Sequence, residues 1–173
     1  MHPRILSNIS NHEGRRLRFY LDTKGIVTIG VGHAVFTSAD AAVLKMWVAA
    51  GVPATPSAIM QDWYLVKSGS VKQGRLFMDA GEVDNLLAGD LHRFTVILHG
   101  EFPDIDAYPV AAQVAIYDIC YECGSIRPDK WEHLNPAIHA RDWKLCAQHC
   151  IRGACGKQRN DDTVAQFLEA ASV

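Results

Sequence analysis

"NHEGRRLRFYLDTKGIVTIGVGH", residues 11 to 33, is the stretch whose reading decides the fold. Leu17, Phe19 and Leu21 alternate with Arg16, Arg18, Tyr20 and Asp22, the period-two pattern of a strand with one apolar and one wet face. "DTKG" is a turn in which Gly25 can take positive φ, and "IVTIGVGH" supplies the returning strand. Gly30 and Gly32 weaken that second strand, so they mark a bend or a close backbone approach. Upstream, Pro3 suits a first helical turn, Ile5 and Ile9 share one face, and Gly14 is a C-cap. A helix of roughly 3 to 12 therefore leads into the hairpin.

After His33 the sequence reads as helix throughout. "TSADAAVLKMWVAAG" places Ala41, Leu44, Trp47 and Val48 on one face and stops at Gly51. "TPSAIMQDWYLVKSG" opens with Thr55 and Pro56 as cap and first turn, and buries Ile59, Trp63 and Val66. In "DAGEVDNLLAGDLHRFTVIL", Asp79 and Glu82 have capping-box spacing, and Val83, Leu86, Leu87, Phe94, Ile97 and Leu98 form the apolar stripe. "YPVAAQVAIYDICYECG" is the most apolar helix and the centre of the bundle. Short helices follow at "WEHLNPAIHA" and "DWKLCAQHCIRG", and "NDDTVAQFLEAAS" closes the chain with Asn160 as its cap. The expected class is α+β, mostly α.

The chain has 173 residues, 49% of them hydrophobic and 21% charged, which is one ordinary globular domain. Its formal net charge is -2 and its pI about 6.4, with no block of cations to bind nucleic acid. No apolar run approaches the ~20 residues of a membrane span. The N-terminus lacks the apolar core of a signal peptide, so action outside the cytoplasm would need another carrier. Cys120, Cys123, Cys146, Cys150 and Cys155 invite a zinc reading through "CYEC" and "CAQHC", or a disulfide. Free buried thiols in helices are the third reading and the one preferred here.

Glu13 ends a helix and Asp22 follows one strand later. Two carboxylates flanking a sugar bond are what glycoside hydrolysis requires: one protonated to donate to the leaving oxygen, one ionised to steer water. The negative end of the first helix should raise the pKa of Glu13, while Asp22, at a turn near backbone donors, should stay ionised. Thr28 can hold a water by its hydroxyl. A helix-terminal Glu and a turn-opening Asp without chemistry fit the same spacing.

The whole of "EGRRLRFYLDTKGIVTIGVGH" resembles the signature of the phage-type lysozymes, glycoside hydrolase family 24. That pattern runs Glu-Gly, a strand with Tyr and Asp, a turn with Gly, then Thr-Ile-Gly-x-Gly-His. Glu13, Asp22 and Thr28 fall at the family's catalytic spacing without a gap. The resemblance implies a two-lobed lysozyme-like fold, with lobes of about 12–80 and of 1–11 plus 81–173, and glycan between them. It implies hydrolysis of the β-1,4 bond between N-acetylmuramic acid and N-acetylglucosamine, with inversion. Glu13 is then the general acid, and Asp22 and Thr28 position the water. No cofactor or metal is implied, since the proton transfers need only side chains and water.

The resemblance continues more weakly downstream. Asp90 lies on the apolar stripe, where an unpaired charge is costly, and His33 is its expected ion-pair partner, supporting the fold. "AAQVAIYDICYECG" is similar to the family's central helix, which puts Tyr121 and Glu122 near substrate. "GKQRNDDTVAQF" resembles the terminal segment from which an Arg reaches the catalytic Glu; here that is Arg159. The interval from His33 to Asp90 is longer than in the compact phage enzymes by roughly twenty residues, room for about one extra helix. This segment, within 37 to 75, either borders the substrate or binds an immunity or carrier protein, or simply packs.

The expected partner is bacterial peptidoglycan, bound by a monomer. Mild acidity gains little attraction to an anionic wall, so a lysozyme-like type VI secretion effector and a phage endolysin released through a holin both fit. The alternatives are a catalytically inactive peptidoglycan-binding module and a zinc-organised interaction domain.

Overall fold

The computed structural model describes residues 1–153 and 155–173. The described residues form eight α-helices and five short strands, an α+β fold that is mostly α. They divide into two compact units, residues 13–90 and residues 1–12 with 91–173. The boundary expected at 80/81 thus moves to 90/91. The cause is local: the first turns of the helix Ala80–Glu101 belong with the hairpin. Val83 and Leu86 back onto Gly30, Arg15 pairs with Asp84 at 2.7 Å, and Lys45 pairs with Glu82 at 3.0 Å.

Helix α1 (Pro3–Glu13) buries Ile5 and Ile9 and ends on Glu13, the first residue of the smaller unit. Strands β1 (Arg16–Leu21), β2 (Val27–Gly30) and β3 (His33–Ala34) make an antiparallel sheet in chain order. Phe19 is its buried centre, whereas Leu17 and Leu21, expected beside it, are exposed. Strand β2 pairs with both ends of β1, Arg16 with Gly30 and Leu21 with Val27, and the register is irregular between Arg16 and Tyr20.

The long helix expected over 38–50 stops early. Thr37 and Asp40 form a complete capping box for α2 (Ser38–Ala42), and Val43 is its C-cap. The chain then makes a second hairpin, β4 (Trp47–Ala49) and β5 (Val52–Pro53), around Gly51. The main chain of Trp47 is taken by Phe77, with N–O distances of 2.7 and 3.0 Å, so those groups are not available to a helix. Helix α3 (Pro56–Lys67) is capped by Thr55 and buries Ile59, Trp63 and Val66 as its period requires. It also buries Asp62, whose carboxylate accepts from the amides of Arg75 and Leu76 at 2.8 and 3.1 Å.

Helix α4 (Ala80–Glu101) starts on Asp79, which accepts from the Glu82 amide at 2.9 Å. Its buried stripe is Val83, Leu87, Leu91, Phe94 and Leu98. Ile97, expected inside, is exposed, and Leu91 takes its place because the buried positions follow the 3-and-4 spacing from Leu87. Helix α5 (Val110–Cys123) is buried without a break from Ala111 to Cys120, as expected of a central helix, and closes on Gly124 at φ 82°.

The larger unit continues with α6 (Leu134–His139), α7 (Trp143–His149) and α8 (Lys157–Ala170). Asn160 does not cap α8, which begins three residues earlier with Gly156 at the cap. Its side chain is occupied elsewhere, accepting from the Arg152 amide and donating to the Arg152 carbonyl, both at 3.0 Å. No helix among the described residues is long and apolar enough to cross a membrane.

Candidate active site

The hairpin turn fixes Asp22. Its main chain closes the pair with Ile26 at 2.9 Å, and Gly25, at φ 72°, completes a three-residue loop. One carboxylate oxygen, Oδ1, accepts from the amides of Lys24 and Ile26, each at 2.8 Å. Two backbone donors on one oxygen hold the carboxylate without using a cation.

Thr28 stands directly opposite Tyr20 in the β1–β2 ladder, so their side chains share a face. The Thr28 hydroxyl donates to the Ile26 carbonyl at 3.1 Å, and its oxygen lone pairs are what it can offer a water. Only 4% of Thr28 is exposed. Tyr20 is the residue of this site that the sequence reading left unassigned. Burial pushes its phenol up; Arg16 opposes this, and Glu13 and Asp22 both add to it. The Arg16 guanidinium lies 4.4 Å from the ring centroid. The phenol therefore lies within the field of both candidate carboxylates, and its placement in "FYLD", two residues before Asp22, was the available signal.

Glu13 is half-buried at the end of α1. Its carboxyl lies against Gly32: a Cβ placed on that glycine would stand 2.7 Å from Oε2 and 3.0 Å from Cδ. At Gly30 a Cβ would make only ordinary contacts with Leu86 and Val83, so of the two glycines Gly32 alone marks a close approach, while both take positive φ. His33 and Asp90 form the expected pair, Nδ1 to Oδ2 at 2.7 Å, with Asp90 nearly buried. Glu13, Asp22, Thr28, His33 and Asp90 accordingly all lie in the smaller unit.

The remaining candidates lie in the larger unit. The Tyr121 ring packs on Phe94 with centroids 5.2 Å apart. Glu122 receives a 2.8 Å bond from Arg159, which also grips Asp118 at 3.0 Å. Asp118, read from sequence only as part of an apolar helix, is fully buried. It accepts from Asn8, His12, Arg152 and Arg159. Arg152 is itself buried and donates to Thr163 at 2.6 Å. The clue was an aspartate inside an otherwise apolar run, which must find cations somewhere in the chain.

The cysteines are all free thiols. Burial pushes the thiols of Cys120 and Cys146 up to about 12 and that of Cys150 up to about 11. An open groove of about 470 Å³ runs along α3, lined by Ser57, Met60, Gln61, Tyr64, Leu65 and Ser68. It holds no carboxylate or imidazole and so offers no acid–base pair. Neither the family models nor the curated proteins compared with this chain give a match.

Proposed function

We propose that this protein is a muramidase, hydrolysing the β-1,4 bond between N-acetylmuramic acid and N-acetylglucosamine in bacterial peptidoglycan with inversion. The observation that carries the reading is the hairpin's own geometry. Two amides hold Asp22 at its turn, Thr28 faces Tyr20 across its ladder, and the Glu13 carboxyl lies against Gly32. A fixed acceptor, a hydroxyl and a second carboxyl are thereby gathered about one hairpin.

The chemistry follows from what each group can do. Glu13, protonated, gives its proton to the glycosidic oxygen as the bond to the anomeric carbon breaks. A water on the opposite face donates one hydrogen to the Asp22 carboxylate and the other to the Thr28 oxygen. Its remaining lone pair then faces the anomeric carbon. The new C–O bond forms as Asp22 accepts the water's proton, and Glu13 is left as a carboxylate. Because Asp22 is held through Oδ1 by two amides, it can serve as acceptor without reorganising. The His33–Asp90 pair supports the fold beside these groups and takes no part in proton transfer.

The mild negative charge gains little attraction to an anionic wall, which suits delivery by a secretion system or release through a holin. An effector of the first kind would have an immunity protein as partner. The test is mass spectrometry of soluble products from purified sacculi, with wild type beside Glu13→Gln. Reducing muropeptides ending in N-acetylmuramic acid, absent with the variant, are the expected result. Anhydro products would overturn the hydrolytic mechanism. Binding to sacculi without release would leave a peptidoglycan-binding module.

A further inference from the structure

We propose that Gly32 is a positioning residue for Glu13: the bare backbone at this position is the wall against which the Glu13 carboxyl rests. The inference deepens the muramidase reading and rests on it for the role of Glu13 as acid. A Cβ at Gly32 would come within 2.7 Å of Oε2, 3.0 Å of Cδ and 3.2 Å of Cγ of Glu13. Contacts of 2.7 to 3.0 Å are shorter than carbon tolerates, and the atoms met are the far end of a flexible side chain. The backbone can stay where it is, while the carboxyl must move. Any residue but glycine therefore displaces the proton donor rather than the sheet.

A second cost accompanies any such substitution. Gly32 has φ +72°, a left-handed conformation that L side chains rarely adopt. The structure supplies matched controls for this strain. Gly30 has φ +69°, and a Cβ there would make ordinary contacts of 3.5 and 3.7 Å with Leu86 and Val83. Gly51 has φ +74° and nothing within 4 Å of a Cβ. Alanine at all three positions imposes similar backbone strain, but only at Gly32 does it strike Glu13.

The experiment compares Gly30→Ala, Gly32→Ala and Gly51→Ala, with each rate corrected for the folded fraction. Gly32→Ala is expected to lower kcat on sacculi about 100-fold with KM within about threefold. The other two should stay near wild type. In protein labelled at glutamate carboxyls, the 13C resonance of Glu13, identified by its loss in Glu13→Gln, should move only in Gly32→Ala. Equal losses at Gly30 and Gly32 would reduce the effect to strain and overturn the proposal. An unmoved resonance with unchanged kcat would overturn it as well. Should wild type release no muropeptide, the muramidase reading falls and the resonance alone decides the contact. If Gly32→Ala folds poorly, the same change is made in a Glu13→Ala background. Recovery there to the stability loss of Gly30→Ala supports the clash, and no recovery overturns it.

Discussion

Asp22 and Asp118 are both carboxylates held in place, by opposite means. Asp22 sits half-buried in a turn, fixed by two backbone amides. Asp118 is fully buried in the middle of α5, with Arg152, Arg159 and His12 against it. A carboxylate held by main chain alone can stay near solvent, within reach of a ligand. One surrounded by cations has spent its charge on holding helices together. On the proposed reading the smaller unit would carry the chemistry, while the larger unit holds the buried ionic cluster around Asp118.

The comparison is broken most sharply by Glu13→Gln. Muropeptide release should fall by about 10²- to 10⁴-fold while the thermal midpoint stays at the wild-type value. Asp118→Asn should do the reverse. It leaves buried Arg152 without its anion, at a cost of about 3–5 kcal/mol in urea unfolding. A drop in activity larger than the loss of folded protein would contradict the division of roles.

Acid sharpens the same point. Burial pushes the Asp118 carboxyl up, but bonds and charge from Arg159, with His12 and Arg152, outweigh this and hold it below its ordinary 3.8. A folded pKa below the unfolded one contributes stability that is complete above about pH 4 and is lost as pH falls through the folded value. Wild type should therefore lose stability more steeply than Asp118→Asn in that range, as followed by circular dichroism. Next in size, His33→Ala removes one partner of nearly buried Asp90 and should cost about 1–3 kcal/mol at neutral pH. The smallest change is Glu169→Gln. Its 2.6 Å pair with Arg4 lies in solvent and should contribute about 0.5 kcal/mol or less.

What the sequence disclosed is explained by range. The hairpin was legible because strand period, Gly25 and Asp22 all act within a few residues, and the structure keeps that local order. The His33–Asp90 pair was legible because a charge on an apolar stripe demands a partner, and the resemblance to the phage-type lysozymes implied His33. The β4–β5 hairpin was not: Leu44, Trp47 and Val48 fit a helix face equally well, and the decision is made by Phe77, thirty residues downstream of Trp47. Asp118 was missed for the same reason, its partners coming from positions 12, 152 and 159. The early start of α8 followed from that cluster too, since Asn160 is drawn into bonds with Arg152.

The bridge between Trp47 and Phe77 brings together chain that lies thirty residues apart. Between those anchors, the tip of the second hairpin, from Ala49 to Val52, is exposed. Such a tip, closed at its base by strand pairing, accommodates inserted sequence without disturbing the sheet beneath. A short epitope or a fluorophore-binding peptide placed between Ala50 and Gly51 would give a reporter carried internally, leaving both chain ends untouched.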